Sequence, residues 1–208
     1  MTVAEIIASR QIKEVLHFTT NKGVTGMLAT ECLLSRKRLP IEKHLEHIYE
    51  YNCADRSRDA EWHDHVNLSI TTVNRRLFGI SKGNWHAGMD GWWCILSFSP
   101  EILSHGGVYF TTTNNMYSGV KRFQGAAGLE KLFGARIVRW DGNVVTRDAA
   151  CPPNQPTCEQ AEVLYPGQVS LKFLQKLYVP DAHSAAALES QLELYSLQIE
   201  VTERPELF

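Results

Sequence analysis

The stretch Cys158-Glu159-Gln160-Ala161-Glu162-Val163-Leu164-Tyr165 constrains this chain most, because it turns from polar to apolar immediately after a carboxylate. A short apolar run closed by the turn signal Pro166-Gly167 reads as a strand, which puts Glu162 where that strand enters the fold. A strand end is held by a stiff backbone and can still face a cleft, a position that suits a catalytic group. Glu159 and Glu162 are three apart and cannot share a face in a period-two strand, so they have different roles. On spacing alone the plainer reading of Glu162, a solvated residue at a strand end, stands first.

Other short runs join this strand. Val15 to Thr20 and Val66 to Ile70 read as strands, the second with Val66, Leu68 and Ile70 inward and Asn67 and Ser69 outward. Trp92 to Phe98, Val108 to Thr111 and Leu177 to Val179 follow the same rule, and Leu197 to Val201 reads as an edge strand. Ile137 to Trp140 and Val144-Val145 flank Asp141-Gly142-Asn143, a hairpin signal. Helices are expected over residues 3–14, over 21–34 with Asn21 as cap, over 41–51, over 128–133 and over 182–194. Gly26 inside the second helix marks a close approach, by packing or by a ligand. Ser35-Arg36-Lys37-Arg38-Leu39-Pro40 is a basic run that reads as a solvated loop or as a phosphate-facing patch. Tyr117, Lys121, Arg122 and Phe123 interleave charge and rings, which suits single-stranded nucleic acid and equally an ordinary connection. Neither a repeat nor a linker divides the chain, so residues 1–208 read as a single α+β domain with a largely non-consecutive sheet.

Bulk properties narrow the function classes. A formal charge of −2 excludes a globally basic nucleic-acid coat and leaves only local basic patches. The five cysteines include no Cys-x-x-Cys pair and read as reduced thiols of a cytoplasmic protein. Cys53, His63 and His65 match no common zinc spacing, nor do His44 and His47 make a site without further ligands, so no metal is expected. The amino terminus has no signal-peptide pattern. No run approaches the ~18 apolar residues that span a bilayer, so no membrane partner is expected.

Taken together, His17-Phe18-Thr19, Gly26, Leu34, the segment Asp55 to Asp59 ahead of Val66-Asn67-Leu68-Ser69-Ile70, Phe110 to Asn115, and above all Gln160-Ala161-Glu162-Val163-Leu164 resemble the DarT-type DNA ADP-ribosyltransferases. These are toxins of bacterial toxin–antitoxin and phage-defence systems. The resemblance implies an ADP-ribosyltransferase-like fold, two small packed β-sheets forming an NAD cleft with peripheral helices around it. It implies that His17, Phe18 and Thr19 contact NAD, that Gly26 and Leu34 line the same pocket, and that Glu162 is the catalytic glutamate. The family's catalytic arginine falls at Arg58, which would also contact NAD, with Arg56 the competing choice in the same segment. Asn114 to Gln160 would form the substrate loop, and the basic segment after Leu34 would help cover the dinucleotide. NAD is then a substrate, single-stranded DNA the acceptor, and a macrodomain-type antitoxin a separately encoded partner.

The residues suit that chemistry. Breaking the nicotinamide–ribose bond develops positive charge on the sugar, which a fixed carboxylate stabilises. An arginine, always protonated, serves more easily as a pyrophosphate clamp than as a base. Better-known members carry a Tyr-Val-Pro-Phe-Tyr-Phe-like strand where this chain has His65-Val66-Asn67-Leu68-Ser69-Ile70, and the polar version resembles the branch that modifies guanine rather than thymine. RNA or protein as acceptor, and a non-catalytic nucleic-acid-binding scaffold, are the rival readings.

Overall fold

The computed structural model describes residues 1–39, 56–117, 119–139 and 142–208. The expected helix over 41–51, with His44 and His47, lies outside the described residues, as do Pro40, Cys53 and Asp55. Helix α1 (Val3–Arg10) is closed at its start by a reciprocal Thr2–Glu5 capping box. Strand β1 (Val15–Thr20) follows and runs into α2 (Asn21–Thr30) with no loop between them.

The last residue of β1 doubles as the helix cap: the Thr20 hydroxyl accepts from the Gly23 amide at 3.2 Å. Asn21, the expected cap, is therefore the first helical residue, since Thr20 already brings the extended backbone and the oxygen that a cap needs. The second helix also stops before Leu34. Glu31 adopts the left-handed conformation (φ 54°), and Cys32–Leu34 become strand β2.

Strands β3 (His65–Ile70), β4 (Trp93–Phe98), β5 (Tyr109–Thr111) and β6 (Arg122–Gln124) come next, with α3 (Arg75–Ile80) after β3 and α4 (Gly125–Lys131) after β6. The hairpin of β7 (Arg136–Val138) and β8 (Val144–Thr146) pairs as its turn signal predicts. The segment expected as a substrate loop, Asn114 to Gln160, thus carries β6, α4 and the β7–β8 hairpin between irregular connections. Then follow β9 (Glu162–Pro166), β10 (Gln168–Ser170), β11 (Leu174–Val179), α5 (Ala182–Leu194) and β12 (Glu200–Glu203). None of the described helices is long and apolar enough to cross a membrane.

The principal sheet has eight strands in the order β12-β11-β4-β1-β3-β9-β5-β6, antiparallel except where β11 meets β12. Its two halves are held together by very little. β1 pairs with β4 along its whole length, from Val15↔Phe98 to Thr20↔Trp93, but meets β3 only at Val15↔Ile70 and Leu16↔Ser69. β3 instead gives His65 to Leu68 to β9. Beyond Leu16 the halves part, so the two expected sheets are one sheet that opens into a wedge.

Alternation along β4 places Cys94, Leu96 and Phe98 in the larger apolar cluster under one face, with Val24, Met27 and Leu28 of α2. Trp93 and Ile95 point to the other face, against Phe18, Phe78 and Tyr178. A rigid apolar base thus stands on both faces of the sheet beneath the mouth of the wedge.

Candidate active site

The wedge between β1 and β3 is a cleft of about 1250 Å³ with its open mouth included. His17, Phe18 and Thr19 line it from β1, Gly26 from α2, Leu34 from β2, and Glu162 from β9. The opening leaves the Asn67 carbonyl without a partner on β1, and the His17 side chain takes that place, Nδ1 to oxygen at 2.9 Å. A carbonyl only accepts, so Nδ1 carries the proton. His17 keeps some exposed surface, but the cleft walls strip the ring itself of water. That desolvation lowers its pKa to about 4, against the smaller opposing effect of the Asn67 carbonyl, and the imidazole is neutral at physiological pH.

Phe18 borders the cleft while its ring packs against Phe78 at 4.9 Å and Trp93 at 5.9 Å between centroids, leaving the residue 8% exposed. Thr19 lies under Gly23: a Cβ built on that glycine would stand 2.0 Å from the Thr19 hydroxyl oxygen. The close approach is thus seen at Gly23, three residues before Gly26, and Gly26 itself is buried and lines the cleft.

Glu162 is the first residue of β9, as its sequence pattern predicts, but it is not solvated: only 4% of it is exposed. Oε2 accepts from Asn67 Nδ2 at 2.8 Å and from the Asn115 amide at 3.2 Å, and Oε1 accepts from Asn114 Nδ2 at 3.1 Å. These donors are neutral. Burial accordingly outweighs them and raises the carboxyl pKa to about 7, with nearby Asp59 adding to the rise and Asn67, Arg56 and the Asn115 amide opposing it.

Of the two arginines in this segment, the one that lines the cleft is Arg56, the competing choice. Arg58, the first choice, is exposed and does not line it. The cause is the 3-10 turn Ser57–Trp62. The Arg56 carbonyl accepts from the Asp59 amide at 3.3 Å and meets His63 Nε2 at 2.9 Å, which fixes the backbone ahead of the turn. Its guanidinium then folds onto the buried Asp59 carboxylate, Nη2 to Oδ2 at 2.5 Å and Nε to both oxygens at 3.2 Å. Two residues on, Arg58 stands on the outer side of the same turn.

Polar atoms in the cleft walls fit a polar ligand. Among the described residues, the buried side-chain atoms without a hydrogen-bond partner include Asn67 Oδ1, His65 Nδ1 and Asn74 Nδ2, all on residues that line the cleft. Such atoms cost roughly 1–3 kcal/mol each when left unmatched, so their gathering at one place marks a site shaped for a partner. Lys22, Arg36 and Arg56 bring positive charge to the same walls. Arg36 belongs to the basic run, whose turn is tied down by Asp64: Ser35 Oγ and Arg38 Nε each reach Asp64 Oδ1 at 2.9 Å. Of Cys53, His63 and His65, the first lies outside the described residues, His63 Nε2 meets the Arg56 carbonyl, and His65 packs against Trp62 at 4.8 Å.

From the sequence, Asn67 and Asp59 have no site role of their own, and Asn114 and Asn115 enter only through the motif Phe110 to Asn115 and the expected substrate loop. Asn67 had a signal, a carboxamide in mid-strand, but alternation alone assigns it to solvent.

Residues 16–208 match the family model described as ssDNA thymidine ADP-ribosyltransferase, DarT. Among solved structures, DarT of Thermus sp. 2.9 in complex with NAD+ is 16% identical with a TM-score of 0.66, over 95% of this chain and 98% of that one. The same protein in complex with ADP-ribosylated ssDNA gives 13% identity and a TM-score of 0.64, over 95% and 97%. DarTG of Thermosipho africanus in complex with ADP-ribose is 16% identical with a TM-score of 0.60, over 94% of this chain and 51% of that one. At such identities the likeness is one of fold, an α+β ADP-ribosyltransferase-like architecture. No curated protein matches the sequence. The match to the family model covers nearly the whole chain and includes every wall of the cleft, and the chain belongs to the DarT family.

Proposed function

We propose that this protein transfers ADP-ribose from NAD to a base of single-stranded DNA and releases nicotinamide. The observation that carries the reading is Glu162, a buried carboxylate gripped by three neutral donors inside a cleft whose other wall bears His17 and Thr19. The Thermus protein named above was solved with NAD+ and with ADP-ribosylated ssDNA, which supports the same pair of substrates here.

In this reading the bond between the ribose C1′ and the nicotinamide nitrogen breaks, and its electron pair leaves with nicotinamide. The sugar carries positive charge as that happens. Ionised Glu162 stabilises that charge, and no reorganisation is needed because its three donors already hold it. A new bond forms from the acceptor base nitrogen to C1′, and the proton that nitrogen loses passes to Glu162 or to water. A carboxyl group titrating near 7 is matched to that task. Arg56, not Arg58, is proposed as the functional arginine. Its charge is permanent, and its tie to Asp59 fixes it as a clamp for the dinucleotide. Neutral His17 offers hydrogen bonds to the adenosine ribose hydroxyls, Thr19 and Gly26 shape the wall around it, and Lys22 and Arg36 face the pyrophosphate. The residues require no metal for this step.

The family description names thymidine. In this chain guanine is proposed as the acceptor, because Asn67 and Ser69 make the cleft face of β3 polar and guanine has an exocyclic amine donor that thymine lacks. A separately encoded macrodomain antitoxin, which would remove the mark, and a toxin role in the cytoplasm belong to the same reading.

The test supplies labelled NAD with single-stranded DNA oligonucleotides containing only one of the two bases, with single-stranded RNA, and with protein. Label on guanine-containing DNA is the expected result. Label on thymine alone overturns the base assignment, label on RNA or protein alone overturns the acceptor, and label on none favours a binding scaffold.

A further inference from the structure

Asn115 is 1% exposed, and each polar group it carries has a partner. Its amide donates to Glu162 Oε2 at 3.2 Å, and its Nδ2 donates to Asp59 Oδ2 at 2.9 Å. Its Oδ1 accepts from Arg122 Nε at 2.7 Å, and its carbonyl accepts from Arg122 Nη2 at 3.3 Å. Asp59 Oδ2 is also the oxygen that receives Arg56 Nη2. One carboxamide residue therefore touches both buried carboxylates of the cleft, and one guanidinium grips it at two points.

Arg122 is itself placed from two directions. It opens β6 opposite Thr111, and Thr111 in turn lies opposite Glu162, so a continuous ladder joins Arg122 to β9. Its guanidinium also lies over the Trp62 ring at 4.6 Å, and Trp62 ends the 3-10 turn that carries Asp59. Arg122 thus meets the turn on one side and Asn115 on the other. Only an amide serves between them. Aspartate would face Asp59 with a third acceptor, and alanine would keep the backbone bonds to Glu162 and Arg122 Nη2 but lose those to Asp59 and Arg122 Nε.

We infer that Asn115, oriented by Arg122, is a positioning residue that sets the spacing between Glu162 and the Asp59–Arg56 pair. The inference rests on the transferase reading. In that reaction the carboxylate must meet the ribose while the guanidinium holds the rest of the same dinucleotide. A displacement on the order of 1 Å between them suffices to cost about 100-fold in rate.

The experiment compares wild type, Asn115→Ala, Arg122→Gln and the double variant in transfer of label from NAD to single-stranded DNA, with melting temperatures alongside. Each single variant is expected to lower kcat on the order of 10- to 100-fold while KM for NAD stays within about threefold. The double variant is expected to be no slower than Asn115→Ala, because both changes cut one tether. A residue that merely held the fold together would move KM and melting temperature along with kcat. Should Asn115→Ala fail to fold, Arg122→Gln, which leaves Asn115 in place, decides alone by the same criteria. Variants with kcat within twofold of an active wild type, or losses that multiply in the double variant, overturn this inference alone. A wild type that labels no acceptor contradicts the transferase reading, and this inference with it.

Discussion

Two glutamates in this fold collect hydrogen bonds from neighbouring strands, and they differ in nearly everything else. Glu14, one residue before β1, accepts from Ser97 Oγ and from Tyr178 OH, each at 2.8 Å, and so pins β4 and β11 to the start of β1. Glu162 accepts from Asn67, Asn114 and Asn115 across β3 and the segment after β5. Glu14 is half-buried, does not line the cleft described above, and helps to push the Tyr178 hydroxyl up to about 12 behind the larger effect of burial. Glu162 is buried, lines the cleft, and is itself the group whose protonation is displaced. A network of donors is therefore common to both halves of the sheet. Exposure to a cleft, with burial strong enough to bring the titration near neutrality, sets one half apart.

The largest effect that would break this contrast is on catalysis. Glu162→Gln should lose on the order of 1,000-fold in ADP-ribose transfer, while Glu14→Ala should stay within about twofold of wild type. Equal losses in the two variants would erase the distinction. Arg56→Ala should come next, with a loss on the order of 100-fold, against little change for the exposed Arg58→Ala; the reverse order would return the role to Arg58.

Stability sharpens the comparison from the other side. The folded-state pKa of Glu162, about 7, lies above its reference value of 4.5, so its favourable contribution is complete below pH 4.5 and is lost as pH rises through 7. Across that window wild type should lose roughly 3 kcal/mol of unfolding free energy from this group, a slope absent from Glu162→Gln in denaturant titrations at a series of pH values. Glu14→Ala should keep the slope and lower stability by about 1–2 kcal/mol throughout, because two hydroxyl donors lose their acceptor.

The parts of the fold that were legible in the sequence are those governed by neighbours along the chain. Alternation along Val66 to Ile70 and the apolar run ending at Phe98 were sufficient to place β3 and β4, and the boundaries of α5 match the expected 182–194. Local signals failed where a residue serves two elements at once, as Thr20 does in ending β1 and capping α2. They also failed where the determinant lies far away. Nothing near Glu162 in the sequence announces its burial, because its donors arrive from residues 67, 114 and 115. The choice between Arg56 and Arg58 depends on which of them folds onto Asp59, whose carboxylate is also held from far along the chain by Asn115. Within the expected substrate segment the β7–β8 hairpin was announced by its turn signal, whereas β6 was not, because a strand of three residues is too short for periodicity to register.

The most direct measurement follows single-turnover transfer of ADP-ribose to single-stranded DNA as a function of pH, with NAD affinity measured at each point. If Glu162 acts as a carboxylate on the ribose, the wild-type rate rises with pH to a plateau with a midpoint near 7, and NAD affinity changes little across the limb. Glu162→Gln should bind NAD and show no such limb. A pH limb of the same midpoint surviving in Glu162→Gln, or transfer that persists at more than about a tenth of the wild-type rate, would contradict the account.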